Sequence, residues 1–215
     1  MRKLLRKIFG LRPLSSKWVT PSFKYILPFF KGKRVADLGC GPGRYLRFFS
    51  KDSIGVDSDK RAIKKCKDRG LTVFKRNLNK RLDFPDAEFE GVFLSHVLEH
   101  VESPINLLRE SWRILKKNGT LIIAVPTYPS VARIFGDEYF DDHPGHLYTF
   151  SPKGIKVLLA KSGFSVKSYF VEPILLERFH LLFLLDFLQK IPIHFATILA
   201  NGFWIVAKKN DVIQK

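Results

Sequence analysis

Val35-Ala36-Asp37-Leu38-Gly39-Cys40-Gly41-Pro42-Gly43 is the stretch whose reading decides the fold. An apolar strand runs into a glycine-dense turn, and apolar residues at Tyr45, Leu46, Phe48 and Phe49 follow with the spacing of an amphipathic helix to about Ser50. Glycines let the backbone turn sharply and approach a ligand with no Cβ in the way. A second apolar run, Ser53-Ile54-Gly55-Val56-Asp57, ends in an acid eighteen residues after Gly39. That spacing puts a carboxylate at the tip of the neighbouring strand, where it can accept from both hydroxyls of a ribose. The pair predicts a nucleoside-bearing ligand at the carboxyl ends of a parallel sheet.

The dinucleotide fingerprint needs its third glycine at position 44, which is arginine, and no Gly-Lys-Ser/Thr follows for a P-loop. What remains, Asp-x-Gly-x-Gly-x-Gly with an acid ending the second strand, resembles the first motif of class I S-adenosylmethionine-dependent methyltransferases. The resemblance runs on in order. Leu82 to Val92 (LDFPDAEFEGV) is similar to the family's entry to the fourth strand, with Glu90 where aspartate is usual. Leu94-Ser95-His96-Val97-Leu98-Glu99-His100-Val101 resembles the segment after that strand, and Trp112 to Leu121 (WRILKKNGTL) the passage into the fifth. Asn77-Leu78 stands where the family usually has an acid that reads the adenine amino group. An asparagine carbonyl can still accept from that amine, without charge.

The resemblance implies S-adenosylmethionine as cofactor, held by Asp37, Gly39, Cys40, Gly41, Gly43, Asp57, Ser58, Asn77, Leu78, Ser95 and His96. Strands over 34–38, 53–57, 72–75, 91–95, 120–125, 164–170 and 203–207 alternate with helices over 59–69, from Ser103-Pro104 to before Gly119, and from Ser151-Pro152 to Gly163. The alternation predicts an α/β, Rossmann-like doubly wound sheet. The family implies seven mostly parallel strands with the last antiparallel. The expected organisation is a basic N-terminal segment (1–32) and a methyltransferase domain (33–208). Within the domain, an insert (126–150) and an apolar segment (173–199) cover the substrate side.

His96-Val97-Leu98-Glu99-His100 spells the H-x-x-E-H string of a metallopeptidase class, and on a helix the three side chains would share a face. A few quinone-pathway O-methyltransferases that the chain resembles are thought to hold a divalent cation with this segment. Here the cofactor motifs account for the string, and no metal is expected. The insert ends in Asp142-His143-Pro144-Gly145-His146-Leu147-Tyr148-Thr149-Phe150-Ser151, which resembles the "H-x-x-H-x-x-x-F-S" segment of the same subgroup. Methyl transfer chiefly requires alignment of donor and acceptor, and a hydroxyl acceptor must also lose a proton. Histidine suits that task near neutral pH, so His143 and His146 are the candidate bases. Tyr139 and Tyr148 are candidates for lining the acceptor pocket.

The chain has 215 residues, 46% of them hydrophobic, and two cysteines, Cys40 and Cys66, too few for a disulfide framework. A reducing, cytoplasmic setting is expected. The net charge is +17, and residues 1–34 hold ten Lys or Arg and no acid. Within residues 1–11, Leu4, Leu5, Ile8 and Phe9 share one helical face and Arg2, Lys3, Arg6 and Lys7 the other. Such a helix can lie peripherally on an anionic membrane, here the inner membrane surface, or cap the substrate side of the domain. The expected acceptor is a small, apolar or lipid-like molecule, methylated on oxygen or carbon. Two alternatives stay open: an RNA or protein acceptor, motivated by the charge, and a module that binds the nucleoside without turnover. The misplaced third glycine argues against a nicotinamide dehydrogenase.

Overall fold

The structure is a computed structural model describing residues 19–127, 145–172, 181–197, 200 and 202–211. Seven strands form one sheet: β1 (Val35–Leu38), β2 (Ile54–Asp57), β3 (Val73–Lys75), β4 (Phe89–Ser95), β5 (Leu115–Pro126), β6 (Phe164–Glu172) and β7 (Gly202–Lys209). Their order is β3-β2-β1-β4-β5-β7-β6. Pairs among β1 to β5 are parallel, and β7 lies antiparallel to both β5 and β6. The first six strands therefore all end at one edge. Strand order reverses between β1 and β4, and in open α/β sheets ligands bind at such a switch point.

Successive residues of a strand face opposite sides, and β4 shows the consequence. Val92 and Leu94 join the larger core with Leu107, Leu108 and Ile114 of α3 (Pro104–Ile114) and Ile155 and Leu159 of α4 (Pro152–Lys161). Phe93 faces the other way and stacks on Trp204 with centroids 5.5 Å apart. Phe23 and Ile26 of α1 (Phe23–Ile26), with Phe30 and Phe49, close that second face. Residues 19–32 thus contribute Phe23, Ile26 and Phe30 to this core. The helix α2 (Lys60–Lys67) buries Ile63 and Cys66 against Cys40 and Val73. Its N-terminus is capped by Asp59, whose Oδ1 accepts from the Arg61 amide.

One local expectation is corrected. The residues after the glycine turn form only a 3₁₀ turn, Leu46–Phe48, because nine residues separate Gly43 from Ser53 and turns consume both ends. The segment after β4 is a chain of turns, not a helix, so His96, Glu99 and His100 do not share a helical face. Among the described residues no helix is long and apolar enough to cross a membrane. Residues 1–11, Tyr139 and His143 lie outside the described residues.

Candidate functional site

The glycine turn is tied down by β2: the amides of Gly39 and Cys40 both donate to the Val56 carbonyl, at 2.7 and 3.0 Å. Gly39, Gly41 and Gly43 all have positive φ, at 80°, 51° and 74°. A Cβ on Gly41 would meet nothing within 4 Å, so this backbone faces open space at the switch point. Asp57, at the tip of β2, accepts from the Gly41 amide with Oδ2 (2.8 Å) and from the Asp59 amide with Oδ1 (2.9 Å). Each oxygen keeps a second lone pair, so the carboxylate is held rigidly and can still take two ribose hydroxyls. Ser58 follows it, exposed.

Asp37 is buried at the end of β1, and its Oδ2 has no hydrogen-bond partner. Burial, and then the Asp57 charge, push its carboxyl from an ordinary 3.8 up to about 8. A cationic ligand beside it would supply the missing counter-charge. S-adenosylmethionine carries both an ammonium and a sulfonium, so the open glycine cradle, the held Asp57 and the orphaned Asp37 fit that cofactor. In the ligand-free protein, folded Asp37 keeps a proton that the unfolded chain has lost above pH 3.8. Its contribution therefore lowers stability as pH rises toward 8. Asp37→Asn should flatten this decline, seen as urea midpoints at pH 5, 6.5 and 8 that converge; an unchanged slope would refute the assignment.

The remaining cofactor candidates line the same edge. Asn77 is exposed, and its Oδ1 accepts from the Asn79 amide (2.9 Å). Asn79 Oδ1 in turn accepts from the Glu102 amide (2.9 Å), which couples the β3 loop to the turn after β4. Leu78 is half-buried against the main core. Cys40 and Cys66 are both buried and reduced. Cys40 Sγ would lie 2.7 Å from a Cβ on Gly55, and burial raises its thiol pKa, so it fills space under the turn. Glu90 sits at the opposite edge, accepting from the Arg34 amide (3.0 Å), and is structural.

Beyond β4 the structure assembles a polar cluster. Ser95 is half-buried, and His96 has a φ of 54°, rare for a residue with a side chain. His96 Nε2 lies 2.9 Å from Glu172 Oε2 and Nδ1 3.3 Å from Glu99 Oε1. Burial alone would lower the imidazole pKa, but Glu172 first and Glu99 second hold it well above 6.5. Both glutamates are fully buried. Glu172 reaches across because Gly202 opposes it in β7; a Cβ there would lie 2.9 Å from Glu172 Oε2. Tyr45 borders this cluster, its phenol pKa raised by burial and then by Glu172.

His146 joins the same region from the insert. Its ring meets that of His100 edge-on at 4.7 Å, and His100 Nδ1 lies 2.9 Å from the Gly145 carbonyl. The Leu147 amide donates to the Glu99 carbonyl (2.7 Å) and the Tyr148 hydroxyl to the Glu102 carbonyl (2.7 Å). Tyr148 thus fastens the insert to the turn after β4. Glu99, His100 and His146 each bring one ligand atom to within 4.8 Å of the others. That set, with His96 engaged by Glu172, has the donor chemistry to hold a cation, or to orient His146 as a base. Sequence reading missed Glu172 and Tyr45. The only available signal was a single acid closing the strand Phe164–Glu172 just before Pro173.

The profile of the methyltransferase domain family matches residues 16–169, well over half of the chain. A solved S-adenosylmethionine-dependent methyltransferase from Archaeoglobus fulgidus is 26% identical, with a TM-score of 0.69 over 96% of this chain and 99% of that one. An uncharacterised protein of Methanocaldococcus jannaschii is 35% identical over 92 residues, 43% of this chain. A ubiquinone biosynthesis O-methyltransferase of Roseobacter denitrificans is 32% identical over 98 residues, 42% of this chain. These matches span 44% and 40% of the two relatives' own lengths.

Proposed function

Since the chain belongs to the methyltransferase domain family and is an S-adenosylmethionine-dependent methyltransferase, we propose that it methylates a small, apolar or lipid-like acceptor on oxygen or carbon. When bound, the cofactor supplies a methyl group already activated on a sulfonium. Asp57 would take the ribose hydroxyls, the glycine cradle the backbone-close part of the ligand, and Asp37 a cationic group. Asn77 and Leu78 would flank the adenine, with Ser95 and His96 at the far side.

On the acceptor side, the His96–Glu172–Glu99 cluster fixes the turn after β4, and that turn carries His100 and holds His146. His146, beside the Glu99 carboxylate, would receive the proton of an acceptor hydroxyl. His143 remains the second candidate in this role. The observation that carries the small-molecule reading is the character of this end of the sheet. Among the described residues, Tyr45, His96, Glu99, His100, His146 and Glu172 stand here, and none of these six is Lys or Arg. A polyanion would be drawn elsewhere, to the exposed Lys60, Arg61, Lys64, Lys65 and Lys67 of α2, for example. The RNA alternative rests on the net charge and on similarity to a probable tRNA methyltransferase of Mus musculus, 34% identical over 99 residues. The reading includes a cytoplasmic protein whose residues 1–11 touch an anionic membrane peripherally.

The test follows label from methyl-labelled S-adenosylmethionine into a cell extract, partitioned into organic, small-aqueous and macromolecular fractions. The expected result is label in the organic phase, reduced about 100-fold or more in rate by His146→Gln with cofactor affinity unchanged. Label confined to the macromolecular fraction would overturn the small-acceptor reading.

A further inference from the structure

Between Leu181 and Ala196 the chain leaves three phenylalanines in water. Phe183, Phe187 and Phe195 are 75, 65 and 67% exposed. They project from a 3₁₀ turn (Leu182–Leu184) and from two short helices, α5 (Leu185–Leu188) and α6 (Ile193–Ala196). The inner side of this segment is firmly seated. Leu188 and Ala196 are buried against Val171. The Gln189 side chain brackets Val171, with Oε1 accepting from its amide (2.8 Å) and Nε2 donating to its carbonyl (3.1 Å). The exposure is therefore a property of a packed surface, and an aromatic patch of this kind marks an interaction site.

Charge selects the occupant. Asp186 is the one acid in residues 181–197, and Lys24 and the Tyr25 hydroxyl both donate to it. Lys190 and His194 stand exposed beside the phenylalanines. A second copy of a chain carrying +17 would be repelled, whereas an anionic surface would be attracted. The segment packs on the last residues of β6, at the same sheet edge as the cofactor cradle. We propose that Phe183, Phe187 and Phe195 dock this face on an anionic lipid bilayer, with the rings in the headgroup–acyl boundary and Lys190 against lipid phosphates. Docking this way turns the carboxyl edge of the sheet toward the bilayer.

The full chain is sedimented with phosphatidylcholine vesicles, with and without phosphatidylglycerol, alongside the combined Phe183→Ser, Phe187→Ser, Phe195→Ser variant. Wild type should bind only the phosphatidylglycerol vesicles. The variant should lose about 100-fold or more in partition coefficient while keeping the wild-type melting temperature and cofactor affinity. In a separate Phe187→Trp chain, indole emission should shift blue and be quenched by brominated lipid. Wild type that ignores the vesicles would overturn the proposal. So would a triple variant that binds as wild type does, which would leave residues 1–11 as the sole anchor. A wild-type dimer in solution that the triple variant abolishes would also overturn it, in favour of a second copy.

Discussion

Asp57→Ala should weaken S-adenosylmethionine binding about a thousandfold. Two hydrogen bonds to a carboxylate are lost, each worth about 1.5 to 3 kcal/mol. The same change releases the Gly41 and Asp59 amides, which Asp57 holds at 2.8 and 2.9 Å, so the cradle loses its anchor together with the ribose acceptor. Asp57→Asn should fall between the two, because its single carbonyl oxygen can replace only one of the two acceptors. Isothermal titration with the cofactor measures the loss, and far-UV circular dichroism checks that the sheet survives. An Asp57→Ala chain that binds as tightly as wild type would remove the nucleoside from this edge altogether.

Glu172→Gln should destabilise the fold by about 3 kcal/mol at neutral pH, since removing one partner of a buried ion pair strands the other. His96 would keep Glu99 at 3.3 Å but lose its nearer partner at 2.9 Å. The sign of the pH dependence follows from the raised imidazole pKa. The stability contributed by charged His96 is complete below about pH 6.5 and disappears as pH rises through the higher folded value. In the variant the folded value moves down, so the loss still begins near the unfolded value but is smaller and complete at lower pH. Urea denaturation between pH 6 and 9, with the His96 ring protons followed by NMR, measures both effects. Unmoved His96 titration together with unchanged stability would mean that Glu172 does not hold the imidazole. The cluster also sustains the positive φ of His96, itself a strain of about 1 kcal/mol.

The residues proposed for the cofactor could be named from sequence because the turn and the strand tip that carry them are local. Glycines at 39, 41 and 43 and an acid at 57 lie within one β-turn-β unit, and strand β2 pairs with β1 directly. The order of the later motifs likewise carried the seven-stranded fold, with β7 antiparallel as expected. Local pattern misled where it was read as periodicity. Tyr45, Leu46, Phe48 and Phe49 have helical spacing, yet Phe49 and Tyr45 turn into an aromatic cluster with Phe93, Phe23 and Trp204, and only a 3₁₀ turn forms. The His96, Glu99 and His100 string is not read as a helical metal site, and the chain there turns, with His96 held by Glu172.

The sequence by itself determined the fold class and the sheet edge at which the glycine turn and Asp57 meet, since turn chemistry and strand alternation act over a few residues. Only the tertiary structure decided which side chains gather beyond β4. Glu172 meets His96 across 76 positions of sequence, over the bare backbone of Gly202. His146 reaches Glu99 and His100 from 45 or more residues away through the Leu147 and Gly145 backbone contacts. The three exposed phenylalanines stand in a run that reads as core in one dimension, because burial depends on which side of the segment β6 occupies. No local pattern encodes such meetings; they follow from where the sheet order brings distant strand ends together.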